Sequence, residues 1–187
     1  MCLPHHSLYD SKTKQHKNYT VPEVKDARNR LYTLVAEGKH LTPAAAQPYL
    51  QAEADKKVLR DFLKTVSSNG SIRFLRDNDF AGLFDLTELD EIKAFVHGCN
   101  GPDYEFLDPE LETARKRFWN TGTALLSALG KNTFPAHGEG RQYVPPEWRE
   151  EQPERFKHAV SEIHSAADAV CKAYDKLVRL ARKRLAV

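Results

Sequence analysis

Cysteine is scarce in this chain: three among 187 residues, Cys2, Cys99 and Cys171, far apart and with no C-x-x-C spacing. An odd, scattered set argues against a disulfide framework and against a zinc knuckle. No run of about 18 apolar residues occurs, so no membrane-spanning helix is expected. Met1–His6 lacks the apolar stretch of a secretory signal, and the expected compartment is the cytoplasm. Charge of one sign is also lacking. Lys plus Arg is 28 and Asp plus Glu is 26, a formal net charge of +2. Such balance leaves the chain without the footprint of a strongly basic nucleic-acid binder. Phosphate-loop glycines are missing as well: Gly130-Lys131-Asn132 has no upstream Gly and no following Ser or Thr, and Gly138-Glu139-Gly140 has no third Gly opening a helix. There is no G-x-S-x-G. The Arg-to-His spacing of small helical ribonucleases, with four to six residues between the two, is absent too.

What is present is helical patterning. With 41% hydrophobic and 29% charged residues, the composition suits one globular domain rather than a disordered chain. Residues 1–19 are polar, carrying His5, His6, His16 and three lysines, and read as a tail. Thr20-Val21-Pro22-Glu23 has capping-box spacing with Pro in the first turn. Val24, Ala27, Leu31, Leu34 and Val35 then share one helical face, and Gly38 supplies a stop. Pro48 follows Pro43 too soon for one straight helix, which predicts a short turn at 43–47 and then a helix over about 48–67. Residues 71–85 are ambiguous between strand and helix at this length. A lone strand would lack a partner, so a short helix and an ordered loop are expected. Asp85 is placed to cap a helix over about 86–97.

The last two helices are the clearest. Asp108-Pro109-Glu110 combines a cap, a proline and a first-turn acid. Leu111, Phe118 and Leu125 recur every seven residues, with Ala114, Thr121 and Ala128 three places later. From Gln152-Pro153-Glu154 onward, Phe156, Ile163, Val170 and Leu177 recur in the same way, with Ala159, Ala166 and Ala173 three later and Val160, Ala167, Tyr174 and Ala181 widening the stripe. A large and a small seam residue in each helix let the axes approach closely. The two helices are expected to pack antiparallel as the spine of an all-α, single-domain bundle of about five main helices, with a tail at 1–19 and the bundle at 20–187.

Chemistry is thinly signalled. On the last helix His158 and Glu162 share a face, but His164 lies about 200° round from Glu162, so one helix cannot converge the three on a metal. An exposed polar face is the simpler reading. No metal site and no cofactor are expected. Two segments stand out. Residues 73–85 interleave Phe74, Phe80 and Phe84 with Arg73, Arg76, Asp77, Asp79 and Asp85, as an ordered loop anchored by its rings would. Residues 132–148 make a long connection containing His137, Arg141, Tyr143 and Trp148, a mixture common at interfaces. Phe134, Val144 and Trp148 would equally suit a strap across the bundle end.

Without a catalytic motif, the sequence reads as a non-enzymatic interaction module binding a protein partner or itself. The candidate surface is Arg141, Tyr143 and Trp148, with Arg73 and Arg76 second. Two alternatives remain. The basic end of the last helix, with Arg179, Arg182 and Lys183, suits nucleic acid, although cations in a last turn also complement the helix dipole. A small hydrolytic enzyme would use His137 as a base within the 132–148 segment.

Overall fold

A computed structural model describes residues 20–37, 43–136 and 140–186. The chain divides after Pro48 into two compact units. In the first, helix α1 (Val21–Ala36) opens on the expected capping box: Thr20 accepts from the Glu23 amide, while the Thr20 amide donates to Glu23 Oε2 at 2.6 Å. Those bonds from Thr20 hold the Glu23 carboxyl below its ordinary value. None of the residues of α1 is buried; Leu31, Tyr32, Leu34 and Val35 are 43–63% exposed. The expected tail and the Gly38 stop lie outside the described residues.

Helix α2 (Pro43–Thr65) runs unbroken through Pro48. The expected break at that proline is therefore corrected. A proline this early in a helix deletes a single backbone bond. Farther along, Asp55, Leu59 and Phe62 are buried within the second unit.

That unit, Tyr49–Val187, is a helical bundle. After α2 come a short helix α3 (Ser71–Asp77), strand β1 (Phe84–Asp85), a 3-10 turn (Leu86–Leu89) and α4 (Asp90–Gly98). Then follow a 3-10 turn (Pro102–Tyr104), α5 (Pro109–Asn132), β2 (Phe134–Pro135), β3 (Arg141–Tyr143), α6 (Trp148–Glu151) and α7 (Pro153–Leu185). Asp85 caps as expected, accepting from the Thr87 amide at 2.9 Å, but the first turn behind it is 3-10 rather than α.

The helices α5 and α7 pack on each other more extensively than any other pair. Their direction is antiparallel, since Arg184 near the end of α7 bonds Asp108 before α5 at 2.8 Å, while Asn132 at the end of α5 bonds Glu162 near the start of α7 at 3.0 Å. The seven-residue recurrences account for this spine: Leu111, Phe118, Leu125, Ile163, Val170 and Leu177 are all essentially inaccessible. Gly122 is a second device for close approach. A Cβ there would stand 2.9 Å from Val96 Cγ2, so α4 lies close enough to α5 that even an alanine would push the Val96 side chain aside. The cost of a mid-helix glycine, roughly 1 kcal/mol, is offset by that contact.

Two aromatic clusters complete the core. Phe62, Phe95, Phe118 and Tyr174 meet with ring centroids 5.0–6.0 Å apart. Phe74, Phe80 and Phe84 form the other at 5.2–6.3 Å, which anchors the 73–85 segment. The sequence did not reveal the sheet. Its order is β1-β3-β2, antiparallel, with Phe84 opposite Gln142 and Phe134 opposite Tyr143. Strands of two and three residues carry no readable alternation.

Candidate functional site

Arg141 and Tyr143 lie on β3, the central strand of this small sheet. Backbone pairing on both sides fixes them. Leu86 N–H donates to Gly140 at 2.8 Å, Ala136 N–H donates to Arg141 at 3.0 Å, and Thr133 Oγ1 meets Gln142 Oε1 at 3.0 Å. Arg141 stands across from Asp85 in the register. The Asp85 carboxyl is held below its ordinary value chiefly by the Thr87 amide and hydroxyl, with Arg141 and Lys93 adding attraction.

Tyr143 is half-buried and lines a shallow pocket of about 500 Å³ with Ala81, Leu83, Val144, Pro146 and Arg149. Leu83 is 51% exposed at its edge, and Phe134, opposite Tyr143 in the sheet, is 45% exposed. The segment is a strap in part. Val144 is buried and Trp148 is 9% exposed, whereas Phe134 only rests edge-on against the Trp148 ring at 5.8 Å. Trp148 is also covered by the Arg155 guanidinium, 3.6 Å from the ring centroid. Of the three first-choice residues, Trp148 thus positions the strap, and Arg141 and Tyr143 present surface. Leu83 was not singled out from sequence. Only the pairing of β1 with β3 brings it beside Tyr143.

Arg73 and Arg76 are elsewhere, on α3. Arg73 pairs locally with Asp77 at 3.6 Å. Arg76 instead bonds Asp175 of α7 at 2.7 Å and borders a separate groove between α2 and α7. On α7, Arg179 is 82% exposed with Asp175 at 3.9 Å, and Arg182 and Lys183 are exposed. Lys172, Lys176, Arg179 and Lys183 lie along one strip. Arg184 is committed to structure, bonding both Asp108 and Glu110.

The polar face around His158 does not gather a ligand set. Glu162 accepts from Asn132, while His164 faces Asp79 at 3.3 Å with its ring edge-on to Phe80. The Asp79 carboxyl is lowered first by the Ala81 amide and then by His164. Among the described residues no group of three or more His, Cys, Asp or Glu side chains stands ready for a metal ion. Burial pushes the Cys99 and Cys171 thiols up, away from the reactive thiolate. His137 lies outside the described residues. No described helix is long and apolar enough to cross a membrane. Compared with known proteins, the chain matches no family model, no curated protein and no solved structure.

Proposed function

We propose that the chain is a non-enzymatic helical interaction module, acting in the cytoplasm and binding a protein partner or a second copy of itself at the sheet end of the bundle. The observation that carries this reading is Leu83, half exposed beside the Tyr143 pocket and immediately before β1, which pairs with the central strand β3. An accessible apolar side chain next to a paired strand, with Tyr143 and Arg149 around it, has the make-up of an interface hot spot. Rigidity matters because little ordering entropy is then lost on docking.

A photocrosslinking amino acid placed at position 83 of the full chain, in the cells that make it, tests the reading. A discrete protein adduct is expected, of a second copy or of one partner, and it should vanish when Tyr143→Ala and Arg141→Glu are added. No discrete adduct, or one indifferent to those changes, would refute it.

The exposed cations of α7 support a second reading, nucleic-acid association through Arg179, Arg182 and Lys183. Retention on nucleic acid should then fall steeply between low and moderate salt. Charge reversal at the three positions should abolish it without loss of folding.

A further inference from the structure

We propose that the groove between α2, α3 and α7 docks an amphipathic helix of a protein partner, one that presents an apolar stripe flanked by Asp or Glu. The groove holds about 530 Å³ and is open along one side. Its walls are apolar: Leu59 and Tyr174 are buried beneath it, Leu63 is 37% exposed, and Val178 is half-buried. Around these stand three guanidinium groups, Arg76, Arg179 and Arg182, against the single carboxylate of Asp175. Asp175 already accepts from Arg76 at 2.7 Å and faces Arg179 at 3.9 Å, and the Arg179 side chain stands 82% exposed at the rim.

That combination selects among occupants. A helix laid in an open groove buries its apolar stripe on the floor and leaves its flanks at the rim. Carboxylates there meet arginine forks, which favour planar two-oxygen acceptors. A nucleic acid would gain from the arginines but not from the floor. Tyr174, the groove's aromatic residue, is 4% exposed and offers no face for a base to stack on. A second copy docked face to face would bring the same arginine-rimmed surface against itself, and like charges brought together at an interface oppose docking. The proposal does not depend on the sheet-end surface. The two pockets share no lining residue, so either can fail alone.

The test is selection from a displayed library of random helical peptides of about 18 residues, five turns, against the full chain. Anisotropy titrations with the enriched peptide follow. The enriched sequences should carry apolar residues at helical spacing with Asp or Glu beside them. Arg179→Glu, at a side chain 82% exposed and thus safe for folding, should weaken binding about tenfold or more. Leu63→Glu should weaken it comparably, and Tyr143→Ala should change it less than about twofold. Basic or uncharged enriched peptides, no enrichment, or binding indifferent to Arg179→Glu would each overturn the proposal. So would an oligonucleotide that displaces the peptide from the wild-type chain, or a doubled native mass that Leu63→Glu reverts to one chain.

Discussion

The two ends of the bundle are closed by different chemistry. Where α7 ends beside the start of α5, the closure is polar and fully partnered. Asp55, 2% exposed, accepts from the Leu107 and Asp108 amides at 2.6 and 3.0 Å. Arg115, 3% exposed, holds Glu112 with two nitrogens and donates a third bond to the Cys99 carbonyl at 3.2 Å. Glu112 in turn accepts from the Phe106 amide at 3.0 Å. At the sheet end, short strands and a tryptophan under an arginine make the closure, and Leu83 and Phe134 stay exposed. A network of buried polar groups is costly to disturb, so the first end is bound to the fold. Exposed apolar area on a fixed frame contributes little to folding and remains available to a partner. The difference assigns structure to the polar closure and a recognition surface to the sheet end.

The comparison can be broken most severely at Arg115. Arg115→Ala leaves the Glu112 carboxylate, 13% exposed, with only the exposed Lys116 at 3.4 Å and the Phe106 amide, and should cost about 3 kcal/mol in urea unfolding, the low end for a broken buried pair. Replacing both partners by methionine should recover part of that loss. Asp55→Ala leaves two amides without their acceptor and should cost about 1–3 kcal/mol. A smaller effect is expected in acid. At Asp108, burial opposes ionisation, but the Leu111 and Glu110 amides and Arg184 outweigh it and the carboxyl is lowered. At Glu112 burial is likewise outweighed, by Arg115 and the Phe106 amide. With both lowered in the folded state, the unfolded chain binds more protons in acid. Their contribution is present above the ordinary carboxylate range and is lost as pH falls below about 4. Asp108→Asn keeps a capping side chain and should make the acid limb of the stability curve shallower. The smallest stability effect belongs to the other end: Leu83→Glu should stay within about 0.5 kcal/mol of wild type.

Much of this architecture is legible in the sequence. The recurrences from Leu111 and Phe156 predict the spine, the long connection between the two helices allows their antiparallel packing, and the caps at Thr20, Asp85 and Asp108 all form. The buried position of Arg115 is readable in the sequence. Arg115, Gly122 and Leu129 form a third seven-residue row beside the one starting at Ala114, and Glu112 stands one helical turn before the arginine. A charge inside such a row needs a partner, and i−3 supplies it. Asp55 had no local signal, because its two amide partners lie 52 and 53 residues away. The candidate surface was half legible. Arg141 and Tyr143 stand in one aromatic segment, but Leu83 joins them only through strand pairing, and the arginine that covers Trp148 comes from α7.

The contrast between the ends is tested most directly by photocrosslinking from two positions in the full chain. Leu83 and Leu107 are similarly exposed, 51% and 59%, but Leu107 adjoins the polar closure while Leu83 borders the Tyr143 pocket. A discrete protein adduct from position 83 and none from position 107 is the expected result. Equal adducts from both, or an adduct from position 107 alone, would contradict the assignment of recognition to the sheet end.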